Sequence, residues 1–164
     1  MRVEGQPALI LHKRAYRESS LLLEALTRDH GIIGMVAKGV SSPKNHMLRA
    51  QLQPLQHVRI AFRQRTELAL LTRSEPIGPA HPVSAERLMA GMYFNELVLK
   101  LCPRQDADRA LYALVLAAYA GLSGPAELAW LARRFERDLL AHLGYPTPWS
   151  FCASGREIDQ GDTY

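Results

Sequence analysis

Cysteine is nearly absent from this chain: Cys102 and Cys152 are the only two, which excludes a disulfide framework and a four-cysteine metal site. Cys102 falls among apolar helix-forming residues and Cys152 in a loop after a proline-rich break, so both read as reduced, non-catalytic thiols. No run approaches the ~20 consecutive apolar residues of a membrane-spanning helix. The opening Met1-Arg2-Val3-Glu4-Gly5-Gln6 lacks the basic-then-apolar order of a signal peptide, so the expectation is a cytoplasmic protein. Catalytic signatures are missing as well. There is no glycine-rich phosphate loop ending in Gly-Lys-Ser/Thr, no His-Glu-x-x-His and no Gly-x-Ser-x-Gly, and no carboxylates cluster as Mg²⁺ would require. The six histidines are scattered, with His30 in a turn and His142 one helical turn from a partner at Asp138. Ser19 and Ser20 beside Glu18 read as a polar strand entrance rather than a nucleophile with its base. The chain is expected to be no enzyme and to hold no cofactor and no metal.

What is present is asymmetric. Residues 1–79 carry twelve Lys and Arg against six Asp and Glu, whereas residues 80–164 carry eight against ten, so the whole excess of +4 arises in the first half. A basic first half beside a neutral second half suits a protein that holds a polyanion with one end and something else with the other.

The basic half is also the strand-rich half. Ala8–Leu11 and Ser20–Leu26 are short apolar runs, and Asp29-His30-Gly31 marks a tight turn into a return strand over Ile32–Ala37. In 57–63, Val58, Ile60 and Phe62 share one face while His57, Arg59, Ala61 and Arg63 share the other, the period of two of a half-buried strand. After a turn at Gln64-Arg65-Thr66, the segment 67–73 repeats this less cleanly, with Leu68 and Leu70 opposite Ala69 and Leu71. Five short strands in so few residues predict a small barrel of the OB type rather than two sheets.

Three prolines and a glycine in residues 75–82 break both helix and strand, and mark the boundary between a barrel over 1–79 and a helical domain over 80–148, with 149–164 as a trailing loop. Ser84 caps a first helix running to Leu101, with Leu88, Gly91, Met92, Asn95 and Leu99 on its apolar stripe and Asn95 as a hydrogen-bonded residue at a helix crossing. A second helix runs from Asp106 to Gly121. A third begins near Pro125, carries Leu128, Leu131, Phe135, Leu139 and His142 on one face and Arg133, Arg134 and Arg137 on the other, and ends before Gly144. The predicted class is therefore α+β.

The candidate functional residues are cations of the barrel. Lys38 and Lys44 flank Gly39-Val40-Ser41-Ser42-Pro43, and Arg49 follows, in a segment whose backbone amides and side chains both suit phosphate. Arg14, Arg17, Arg59, Arg63, Arg65 and Arg73 fall on adjacent strands and turns. Converging, these side chains form a groove for a nucleic-acid backbone; scattered, they are a solvated surface. Only Tyr16 and Phe62 are aromatic in this half, and Phe62 is expected in the core, so binding should be mainly electrostatic. A protein interaction module built on the barrel is the alternative, and fold alone does not separate the two.

Four ordered blocks carry a resemblance. Residues 9–24 (Leu9-Ile10-Leu11-His12-Lys13-Arg14-Ala15-Tyr16-Arg17-Glu18-Ser19-Ser20-Leu21-Leu22-Leu23-Glu24) continue through Thr27-Arg28-Asp29-His30-Gly31 to Val36-Ala37-Lys38-Gly39. They are followed by Leu52-Gln53-Pro54-Leu55-Gln56, by Tyr93-Phe94-Asn95-Glu96-Leu97, and by Arg133-Arg134-Phe135-Glu136 with Leu143-Gly144-Tyr145. Together they resemble the RecO family of bacterial DNA repair proteins. The resemblance implies an OB barrel followed by a helical domain, and a recombination mediator without a catalytic site. It implies binding of single- and double-stranded DNA, annealing of complementary strands, and work with RecR to load RecA onto DNA coated by single-strand-binding protein. It further suggests the acidic C-terminal tail of single-strand-binding protein as a ligand of the helical part, with Arg133, Arg134 and Arg137 meeting its carboxylates and Leu139, Leu140 or Tyr145 offering apolar contact. Members of the family usually run some tens of residues further than Tyr164. Some carry a four-cysteine zinc site where this chain has Cys152 alone, so no zinc is expected.

Overall fold

Two hydrophobic patterns build the first half of the molecule. In the computed structural model the elements run β1 (Arg2–Tyr16), β2 (Ser20–Thr27), β3 (Gly31–Ala37), α1 (His46–Gln51), β4 (His57–Gln64), β5 (Ala69–Pro76), α2 (Ala85–Leu101), α3 (Arg109–Leu122) and α4 (Leu128–His142). The structure describes all residues except 41, 43, 44, 79–82, 149, 153 and 159–164. The strands close into a barrel in the order β1-β2-β3-β5-β4, antiparallel throughout except for the short parallel pairing of β3 with β5. This is the OB-type arrangement, and with the helices that follow it makes the fold α+β.

The apolar runs of β1 and β2 are continuous because both of their faces are covered. Ala8, Ile10, Leu23 and Ala25 point into the barrel with Ile33, Met35, Val58, Ile60 and Phe62. Leu9, Leu11 and Leu26 point out of it into a second core, shared with Phe94, Val115, Leu131 and Phe135 of the helices. β4 alternates because its outer face meets water: Val58, Ile60 and Phe62 are buried while Arg59 and Arg63 are exposed. Ala61 departs from that alternation, being buried next to a bulge between Ala61 and Phe62.

Strand limits differ from the pattern read along the chain. β1 extends far beyond Ala8–Leu11, because its first half pairs with β4 and its second with β2, with a register shift in each ladder. β5 begins at Ala69 and reaches Pro76, so Leu68 lies in the turn, 40% exposed. The segment between β3 and β4, where glycine, serine and proline predict a loop, contains the six-residue helix α1; Val40 and Leu52 on either side of it are fully buried against the barrel interior.

The helices dock by specific contacts. Ser84 caps α2, its hydroxyl accepting from the Arg87 amide at 3.4 Å. The buried stripe of α2 is Gly91, Phe94, Asn95 and Val98; Leu88 and Met92, expected on that stripe, are exposed. The helix is rolled because Gly91 lets Leu55 and Leu122 close over it, where a Cβ would stand 2.6 Å from Leu55 Cδ1, and because Phe94 stacks on Phe135 with 4.3 Å between ring centroids. Asn95 donates to the Leu11 carbonyl at 2.8 Å and accepts from the Tyr119 hydroxyl at 2.5 Å, so it joins β1, α2 and α3. α3 starts after Asp108, whose carboxylate accepts from the Leu111 amide. His142 pairs with that same Asp108 at 2.6 Å, not with Asp138, which turns outward to Arg134 and Arg137.

Gly31 marks where the helical connection meets the barrel. Its φ is +67°, and a Cβ there would lie 2.1 Å from the Asp106 carbonyl oxygen, so only glycine fits. Alongside it Gln105 donates its amide to the Ile32 carbonyl at 3.1 Å.

Candidate nucleic-acid interface

The strand ladders put one row of residues across the barrel. Tyr16 stands opposite Ser20, Leu21 opposite Ala37, Val36 opposite Leu70, and Leu70 opposite Arg63. Beyond this row lie Arg17 in the β1–β2 turn, Lys38 just past β3, and Arg65 and Thr66 in the β4–β5 turn. Together they line a groove of about 480 Å³ whose floor is Val36, Leu68 and Leu70.

Four of the nine barrel cations singled out in the sequence, Arg17, Lys38, Arg63 and Arg65, therefore converge although they come from three separate connections and a strand end. No carboxylate lines this groove among the described residues, and none of the four cations is held in an ion pair. Elsewhere cations are mostly neutralised: Arg73 by Glu75 at 2.5 Å, Arg104 by Glu24, Arg109 by Asp29 at 2.7 Å. Unpaired charges gathered over a low-dielectric apolar floor attract anions more strongly than the same charges spread over a surface. Arg17 has a left-handed backbone, φ 55°, unusual for a side chain with a Cβ, and its guanidinium lies 5.2 Å from the Tyr16 ring centroid.

The other candidates are placed differently. Arg14 lines a separate cleft between the barrel and α2, with Glu24, Glu96, Lys100 and Arg104. Arg49 is turned inward from α1 and donates Nε and Nη2 to the Val40 carbonyl, which makes it a clamp on its own loop. Next to it Lys13 bonds the Gln53 side chain, and burial followed by the Arg49 charge lowers the Lys13 pKa. Arg59 is exposed on β4, in register with Glu75 of β5. Arg73 holds that carboxylate, so this part of the barrel is partly neutralised. Lys44 lies outside the described residues.

The helical candidates split. Arg133, Arg134 and Arg137 line a cleft of about 540 Å³ with Trp130, Glu136, Leu140 and Thr147. Each also has a local carboxylate, Arg133 on Glu136 at 2.7 Å, Arg134 on Asp138 at 3.7 Å and Arg137 on Asp138 at 2.6 Å. Leu139 is only 1% exposed, packed into the helical core, and so offers no contact surface. It follows the buried stripe Leu131, Phe135, Leu139, and Leu140 one position on faces out. Tyr145 is exposed but stands outside the lining of that cleft. Trp130 is not among the residues that the sequence singles out; its signal is its position four residues before Arg134, whose guanidinium lies 5.2 Å from its ring.

Among the described residues no three His, Cys, Asp or Glu side chains gather as a metal site requires, and no helix is long and apolar enough to cross a membrane.

Comparison with known proteins agrees with the resemblance. The family model described as "Recombination protein O N terminal" matches residues 1–80, and "Recombination protein O C terminal" matches residues 83–164. The chain is 44% identical over all 164 residues to DNA repair protein RecO of Stenotrophomonas maltophilia strain K279a, covering 69% of that protein. It is 42% identical over the same span to DNA repair protein RecO of Xanthomonas oryzae pv. oryzae strain PXO99A, covering 68% of it.

Proposed function

The chain belongs to the RecO family of DNA repair proteins, and from that premise we propose that it is a non-catalytic recombination mediator that binds single- and double-stranded DNA in the barrel groove and anneals complementary strands. The observation that carries this reading is the convergence of Arg17, Lys38, Arg63 and Arg65 on a groove without a carboxylate. The groove lies at the turns between the first and second and between the fourth and fifth strands, the connections with which OB barrels hold oligonucleotides. Two strands approaching one another repel through their phosphates; fixed cations between them release the condensed counterions and lower that repulsion. Base pairing then supplies the sequence information, and the protein need not read bases.

The helical cleft supports the second half of the proposal. Arg133, Arg134 and Arg137 beside exposed Trp130 and Leu140 suit a short acidic peptide with an apolar side chain, the chemistry of the C-terminal tail of single-strand-binding protein. Work with RecR to load RecA follows as part of the same proposal, from family membership alone.

Annealing of complementary fluorescent oligonucleotides tests the groove. The variant carrying Lys38→Glu, Arg63→Glu and Arg65→Glu should lose both strand binding and annealing while its circular dichroism and melting stay unchanged. A folded variant that anneals as fast as the parent would remove the groove from the reaction. If the parent itself binds no DNA even at low salt, the barrel is a protein interaction module instead.

A further inference from the structure

Charge alone does not account for the groove. Phosphates lie on the outside of any strand, single or paired, and a purely electrostatic site needs only cations. Here the cations surround an apolar floor: Leu68 is 40% exposed in the turn before β5, Leu70 and Val36 are half-buried beside it, and the Tyr16 ring forms the wall. Exposing these side chains to water is unfavourable unless something covers them.

We propose that Tyr16 and Leu68 form a subsite for one unpaired nucleobase, so that the groove selects single strands over duplex; this rests on the reading of the groove as the DNA site. The volume of about 480 Å³ falls within the range of small-ligand sites, and its lining combines apolar and aromatic groups with a few polar ones at the rim, Ser20 and Thr66. An extruded base has two π-faces and a polar edge. One face stacks on the Tyr16 ring or on the Arg17 guanidinium that lies 5.2 Å from it, and the other lies over Leu68. The cations Lys38, Arg63 and Arg65 then hold the phosphates on either side of that nucleotide.

Duplex DNA keeps its bases stacked and presents only phosphates and groove edges, so it uses the cations and leaves the floor uncovered. The left-handed backbone of Arg17 fits this role. A side chain with a Cβ is held there at a cost, and the exposed Arg17 side chain lies with its guanidinium over the ring. Stacking is indifferent to base identity, since every base has a π-face.

The test compares three ligands by fluorescence anisotropy at fixed salt: an oligothymidylate, the same strand with abasic sites replacing the thymidines, and a duplex of equal length. Tyr16→Ala should weaken oligothymidylate binding by about tenfold, the size expected of one lost base–aromatic stack, and leave abasic and duplex affinities unchanged. Tyr16→Phe, which keeps the ring and loses the hydroxyl, should bind like the parent. Leu68→Ser, in the exposed turn, gives a second variant that does not depend on Tyr16 for folding, and it should show the same selective loss. If Tyr16→Ala and Leu68→Ser lower all three affinities alike, or none of them, the subsite does not exist. Reversal of Lys38, Arg63 and Arg65 separates the two readings: if it weakens all three ligands while the Tyr16 and Leu68 variants weaken none, only the base subsite fails, and if it too is silent, the groove is not the DNA site.

Discussion

Asn95 is a polar side chain buried at 1% exposure among apolar neighbours, and both ends of its amide are used, the nitrogen donating to the Leu11 carbonyl and the oxygen accepting from the Tyr119 hydroxyl. Burial pushes the Tyr119 hydroxyl pKa up, which favours the neutral phenol as donor. Replacing Asn95 with Ala strands the Leu11 carbonyl, leaves the Tyr119 hydroxyl only the Ile10 carbonyl at 3.5 Å, and opens a void, at a cost of about 2–4 kcal/mol in urea unfolding. A loss below about 1 kcal/mol would mean that water enters to replace the amide. His57 makes a different kind of pair, its Nε2 2.8 Å from the Tyr112 hydroxyl. Burial lowers the His57 pKa and pushes that of Tyr112 up to about 12. The folded state thus favours neutral imidazole, and the unfolded chain takes up the proton first. This contribution to stability is complete above the ordinary histidine pKa of about 6.5 and is lost as pH falls through the lowered folded value. Melting temperature should therefore fall as the pH drops below about 6.5, and the fall should be shallower in His57→Gln.

At the scale of elements, the helices are held to one another and to the barrel by different means. Between α2 and α4 the link is apolar, the Phe94–Phe135 stack at 4.3 Å with both rings fully or nearly fully buried. Phe135→Ala should cost about 3–5 kcal/mol by chemical denaturation, and the loss should fall on the helical part first, leaving the barrel's own core intact. Between α3 and the barrel an ionic link is added to the apolar core that Leu9, Leu11 and Leu26 share with Val115. Asp29 in the β2–β3 turn accepts from Arg28, Gln6 and Arg109, and the Arg28 hydrogen bond foremost pulls its carboxyl down to about 2. Arg87 closes the end of α3, donating to the carbonyls of Gly121 and Leu122 and to Ala126. Element type was legible in the chain wherever one face alone is buried. Val58, Ile60 and Phe62 announced β4, and Leu131, Phe135 and Leu139 announced α4. It was less legible where packing on two sides replaces alternation by a run, as in Ala8–Leu11. The six residues of α1 were missed because so short a helix, following Gly39 and Pro43, carries no apolar period of its own.

For the whole molecule, charge and packing divide the labour between its two parts. Cations without partners collect on the barrel groove, while those of α4 are tied to Glu136 and Asp138. Arg63→Ala and Arg65→Ala should each reduce the slope of log K against log salt for DNA binding by about 1, one phosphate contact apiece, whereas Arg133→Ala leaves the slope as it was. A change of slope in Arg133→Ala would show that DNA runs over both parts of the molecule.

The linear chain by itself determined the class of each half: strand-forming and basic up to the proline cluster, helix-forming and neutral after it, because side-chain period and charge are local properties. It also held the signals for caps at Ser84 and for the buried stripe of α4. Only the tertiary structure decided which cations act together. Closure of the barrel brings Arg17, Lys38, Arg63 and Arg65 to one groove, while Arg49 turns onto the Val40 carbonyl and Arg73 onto Glu75. Packing of α4 on the other helices buries Leu139 and leaves Leu140 in solvent. The packing of α3 against α4 gave His142 a partner in Asp108, thirty-four residues away, in place of the Asp138 beside it in the helix. Convergence depends on strand register and on which face each turn leaves open, and those are set by long-range pairing that no window of sequence contains.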